Sequence, residues 1–124
     1  MSKKKIIAVL SDLMFTVKIQ EAAKRTGIEA VFVKTSDAAL KLVKESPAAV
    51  ILDLNASDIR PLELIEQLKS GPEGSKITVL GFVSHVQTDL RVAAQQKGCD
   101  LVIARSVFSQ QLAQFLEKIT AQQT

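Results

Sequence analysis

Neither tryptophan nor tyrosine occurs in this 124-residue chain, and cysteine and histidine occur once each. The only aromatic residues are Phe15, Phe32, Phe82, Phe108 and Phe115, and none interleaves with lysine or arginine. The stacking platform of single-strand nucleic-acid binders is therefore missing. A lone cysteine, Cys99, makes no internal disulfide, and with one histidine it cannot build a structural zinc site. Its expected role, between Gly98 and Asp100, is that of a small buried residue. No apolar run approaches the ~20 residues that cross a bilayer. Ile6 to Leu10 is also shorter than a secretory core of about 7 to 15 residues. Phosphate-cradling glycine loops of the Rossmann or Walker type are absent. A reducing, cytoplasmic setting is the resulting expectation.

The formal net charge is +3, and Lys3, Lys4 and Lys5 account for all of it. The basic balance thus describes one end of the chain. A single domain is expected, with a core at about 5–121 and a solvated basic extension at 1–4. Three clustered lysines offer an anionic surface or nucleic acid only a low-specificity contact, so nucleic-acid binding is not expected.

What the chain does have is alternation. Ile6–Leu10 reads as a strand buried on both faces, and Ser11 or Asp12 as the cap of a helix carrying Phe15, Ile19, Ala22 and Ala23 up to Gly27. Ile28–Val33 is a second strand. Thr35 or Ser36 caps a helix that Ser46-Pro47 ends. Ala48–Asp53 is the third strand, and Pro61 suits the first turn of a helix bearing Leu62, Ile65 and Leu68. A fourth strand spans Lys76–Val83, a fourth helix Thr88–Lys97, and a short fifth strand Leu101–Ala104. One final helix is expected, with Phe108, Leu112, Phe115, Leu116 and Ile119 along one face. Crossovers of this length imply a parallel sheet covered on both sides, a doubly wound α/β fold of flavodoxin-like type with strand order 2-1-3-4-5.

Such a fold gathers Ser11, Asp12, Asp53, Val83, Ser84 and Arg105 at the C-terminal ends of the strands, where open α/β sheets carry their sites. An aspartate ends the third strand in Ile51-Leu52-Asp53-Leu54-Asn55, with Val83 thirty positions on and Arg105 a further twenty-two. By this spacing the chain resembles the receiver domains of two-component response regulators, from about Lys5 to Ile119. The resemblance implies that Asp53 is the position phosphorylated in that family. There Mg²⁺ is held by an acidic pair ending the first strand, by the aspartate, and by the backbone carbonyl two residues on, here Asn55. The acidic pair falls on Leu10 and Ser11, which leaves Asp12, one place late, as the substitute carboxylate. Val83 stands where the family has a hydroxyl, with Ser84 adjacent. Val102 replaces the switch aromatic. Arg105 replaces a lysine, keeping the charge but presenting a planar fork, and Ser106 replaces the following proline.

Three readings of Asp53 stay open from the residues alone: a carboxylate that pairs with Arg105, a phosphoacceptor, or part of a small-anion site. A hydrolase triad of Asp53, Ser84 and His85 is set aside, because Ser and His adjacent in sequence rarely face one another and no nucleophile elbow is present. His85 is expected to begin the loop into the fourth helix. The leading expectation is an atypical receiver, or pseudo-receiver, that works as a stand-alone interaction module, is not an enzyme, and needs no cofactor. The alternative is a working phosphoacceptor with Mg²⁺ on Asp12, Asp53 and Asn55. The resemblance places a protein-partner or homodimer surface on the fourth helix, fifth strand and fifth helix, including Arg91, Val102, Gln110 and Gln111.

Overall fold

The computed structural model describes residues 4–72, 74–84 and 87–121. The chain runs β1 (Lys5–Val9), α1 (Leu13–Thr26), β2 (Glu29–Val33), α2 (Ser36–Leu42), β3 (Ala49–Asp53), α3 (Pro61–Ser70), β4 (Thr78–Val83), α4 (Thr88–Gln96), β5 (Leu101–Ala104), α5 (Arg105–Gln110) and α6 (Leu112–Thr120). Short 3₁₀ turns at Val43–Glu45, Ser57–Ile59 and Gly74–Lys76 occupy three of the connections. The strands form one sheet in the order β2-β1-β3-β4-β5, every neighbouring pair parallel. This is the flavodoxin-like arrangement that the alternation predicts.

The helix boundaries follow local chemistry. Asp12 caps α1 by accepting the Phe15 N–H, and Thr35 caps α2 by accepting the Ala38 N–H. Gly27, at φ 73°, closes α1 in the left-handed conformation that glycine adopts without steric cost. Pro61 occupies the first turn of α3, where its missing N–H has no intrahelical partner to lose.

Alternating strand residues feed two cores. Ile7, Val9, Val50, Leu52, Val79, Val83 and Val102 pack beneath α2, α3 and α4. Ile6, Ala8, Ala49, Ile51, Leu80 and Phe82 pack beneath α1, α5 and α6. Gly81 leaves room for Leu54 between the strand ends; a Cβ there would lie 2.8 Å from the Leu54 side chain. On the α1 side, Phe15 meets Phe82 at 4.8 Å and Phe108 at 5.7 Å, both edge to face. Each such contact contributes about 0.5–1.5 kcal/mol beyond its burial. This aromatic group is the floor of the site described below.

One expectation is corrected. The final segment is two helices, because Gln111 takes φ −126° and ψ 34° and breaks the run. Phe108, Leu112, Leu116 and Ile119 are nonetheless all buried. Their spacing of four, four and three continues through the break, so the apolar stripe is kept while the backbone turns.

Candidate functional site

Asp12, Asp53 and Arg105 reach the C-terminal edge of the sheet from three different elements. Arg105 opens α5 directly after β5, and its guanidinium carbon lies 4.8 Å from the Phe15 ring centroid and 5.8 Å from that of Phe82. These rings direct it toward α1. There it forms a hydrogen-bonded ion pair with Asp12 Oδ2, while Asp12 Oδ1 accepts the Phe15 N–H at 3.0 Å. The Phe15 N–H, followed by the Arg105 guanidinium, holds the Asp12 carboxyl below its ordinary range despite the opposing effect of burial. Asp12 thus caps α1 with one oxygen and ties it to Arg105 of α5 with the other.

Asp53 is handled differently, and the expected pairing with Arg105 is not formed. Its Oδ1 accepts the Asn55 N–H at 2.9 Å, and its carbonyl accepts the Ala56 N–H at 3.2 Å, a local Asx-type turn at the end of β3. The physical reason is competition: the α1 cap brings Asp12 beneath the guanidinium, and the β3 turn occupies Asp53 from its own loop.

Asn55 contributes a bond that sequence reasoning missed. Its side-chain oxygen accepts the Ser84 N–H at 2.7 Å, and its amide donates to Gln87 Oε1 at 2.7 Å. The side chain thereby joins the β3 loop to the end of β4 and the start of α4. No periodicity marks such a loop-to-loop contact. The one signal is an amide side chain in each of the two loops, Asn55 after β3 and Gln87 before α4.

The remaining positions are apolar or outward-facing. Leu10 is buried in the α1-side core, its N–H donating to the Val33 carbonyl at 3.2 Å, and Ser11 is exposed. Val83 and Val102 are both core residues on the α4 side. Ser84 lies just beyond β4, exposed, with its backbone on Asn55.

No protein-family model and no curated protein matches the chain. Solved structures do. The phosphorylated cyanobacterial phytochrome response regulator RcpA superposes with TM-score 0.81 at 22% identity, covering 99% of this chain and 97% of its own. The chemotaxis response regulator CheY4 of Vibrio cholerae gives 0.83 at 13% identity, with 95% and 99% covered. The Mn²⁺-bound form of response regulator Rcp1 gives 0.76 at 18% identity, with 92% of each chain covered. The fold is that of a response-regulator receiver domain.

On this receiver fold the carboxylates at the strand ends are few and hydrogen-bonded. Leu10 and Ser11 supply no carboxylate, both oxygens of Asp12 are committed, and no group of three His, Cys, Asp or Glu residues able to hold a metal occurs among the described residues. Arg91 lies on α4, on the opposite side of the sheet from Gln110 and Gln111, which line a groove with Lys18 and Arg25 of α1. Val102, expected on the partner surface, has its side chain in the core; Gly81 is its neighbour in register across the sheet.

The basic end is also partly structural. Lys5 begins β1 and pairs with Glu45 at 3.0 Å, and Lys4 donates to the Thr120 carbonyl at 2.8 Å. Lys3 and His85 lie outside the described residues. Cys99 is buried, and that burial pushes its thiol up to about 11. No helix of the described residues is long and apolar enough to cross a membrane.

Proposed function

We propose that this chain is a pseudo-receiver: a signalling module of receiver fold that acts by binding a protein partner, without aspartyl phosphorylation and without Mg²⁺. The observation that carries the reading is the engagement of both Asp12 oxygens. A carboxylate nucleophile at Asp53 needs the charge of an incoming phosphoryl group neutralised by a cation and a free ammonium. Here the nearest substitute carboxylate serves as a helix cap and ion-pair partner, and the basic residue is turned toward it. Val83 and Val102 add hydrocarbon where a hydroxyl-to-aromatic relay would operate.

The proposed partner surface, for a signalling protein or a second copy of the chain, is the β5 edge of the sheet with its flanking helices. Val92 on α4 and Val107 on α5 support it; they are 43% and 42% exposed, large for valines in a fold with filled cores. Arg91 lies beside Val92.

The test is amide NMR of the protein titrated with Mg²⁺ and beryllofluoride. The expected result is no saturable change at Asp53, Leu54 or Asn55. Mg²⁺-dependent shifts there, abolished by Asp53→Asn, would instead establish a phosphoacceptor and overturn the proposal.

A further inference from the structure

A cleft of about 400 Å³ opens between α1 and the start of α5, and Asp53 is not among its lining residues. Its size falls within the roughly 300–1,000 Å³ of small-molecule sites. Its chemistry is asymmetric. One part is apolar, formed by exposed Met14 with the largely buried Phe15 behind it. Lys18, one turn beyond Met14 on the same helix, and Arg105, Ser106 and Ser109 of α5 supply the polar lining.

The donors there are partly unused. Arg105 gives one NH2 bond to Asp12, while its Nε and NH1 make no hydrogen bond among the described residues. A guanidinium carries five N–H donors in a planar fork suited to oxyanions. Lys18 donates to Ser109 Oγ at 3.2 Å, so its ammonium is held across the cleft with further donors available. Asp12 also faces this space, one carboxylate against two cations, and its charge is answered by Arg105. Met14 stands 76% exposed beside the charged wall, leaving an apolar surface that the fold itself does not cover.

We propose that this cleft binds a small organic oxyanion, a carboxylate or phosphate ester carried on an apolar or aromatic body. The anionic head would lie between Arg105 and Lys18 with Ser106 and Ser109 donating, and the body against Met14 and Phe15. A bare inorganic anion would leave most of the volume and the apolar wall unfilled. Because the head competes with Asp12 for Arg105, occupancy loosens the tie between α1 and α5, which gives a ligand a route to the position of Val107 on the partner surface. The site is independent of whether Asp53 is phosphorylated.

Amide NMR titration with phenyl phosphate and with benzoate tests this, with benzyl alcohol as the neutral control. Saturable shifts at Met14, Phe15, Lys18, Ser106 and Ser109 are expected for the anions and not for the alcohol. Arg105→Gln should weaken binding about tenfold or more, the scale of a charge-assisted hydrogen bond, and Lys18→Gln should weaken it by a smaller factor. Asp12→Asn, which removes the competing charge while keeping a capping side chain, should tighten it severalfold. Asp53→Asn should leave it unchanged, so the outcome is separable from the beryllofluoride result. Equal shifts with benzyl alcohol, no saturable shift with either anion, or weaker binding in Asp12→Asn would each overturn the proposal.

Discussion

Replacing Asp12 should cost more through the helix it caps than through the ion pair it makes. The carboxylate has two separable duties, Oδ1 on the Phe15 N–H and Oδ2 on Arg105. Losing an N-cap costs about 1 kcal/mol. The ion pair is discounted because its side chains are 36% and 33% exposed, and pairs of this kind are worth roughly 0.5 kcal/mol after solvent screening. Asp12→Ala should therefore lose about 1.5 kcal/mol, while Asp12→Asn, whose amide oxygen still accepts the Phe15 N–H, should lose about 0.5. At roughly 4 °C per kcal/mol for a domain of this size, the Tm falls are about 6 °C and 2 °C.

Acidification gives a second, independent readout of the same group. The folded state lowers the Asp12 pKa, so its charge contributes stability that is fully present above the unfolded value near 3.9. That contribution disappears as pH falls through the folded value. Urea midpoints of wild type and Asp12→Asn should accordingly converge as the pH is lowered through the folded value, below the ordinary carboxylate range. Equal losses in the two variants at pH 7, or a wild-type advantage over Asn that survives acidification, would refute the division of labour.

Two further outcomes follow from the β4–β5 end of the sheet. Lys69 sits with its ammonium 2.7 Å from Asp100 and donates to the carbonyls of Ile77 at 2.7 Å and Gly74 at 3.2 Å, so Lys69→Met should lower the unfolding free energy by about 2 kcal/mol. A urea-midpoint change equivalent to less than about 0.5 kcal/mol would count against that network. Cys99, with its thiol pushed up to about 11 by burial and its Sγ 3.1 Å from the Leu101 carbonyl, should resist a disulfide reagent at pH 8 in the native protein and react promptly in denaturant. Native-state labelling at the denatured rate would contradict the burial argument.

The fold was legible because burial on both faces of a parallel sheet writes itself into continuous apolar runs such as Ile6–Leu10 and Ala48–Leu52, each followed by a capping residue or a turn. The choice of Asp12 over Ser11 as the α1 cap was open, since either side chain can accept the required N–H. The break at Gln111 was not legible: no glycine or proline marks it, and the apolar spacing on either side agrees with one uninterrupted helix. At the site, the sequence reading offered Asp53 as the partner of Arg105 and Asp12 only as a cap or metal carboxylate, whereas Asp12 takes the guanidinium. The decision came from the rings of Phe15 and Phe82 beneath the guanidinium and from the Asx turn at Asp53, contacts between elements distant in sequence. The Asn55–Gln87 bond lies in the same class.

The bond from Lys4 to the Thr120 carbonyl joins positions 116 apart at the pole where β1 starts. Five strand residues at about 3.3 Å each separate that pole from the edge carrying Asp12 and Arg105. A fluorophore carried at Ala121, exposed beside this bond, therefore sits at the pole remote from the cleft. A donor–acceptor pair at positions 4 and 121 would report the integrity of the fold, because this pole brings the start of β1 against the end of α6.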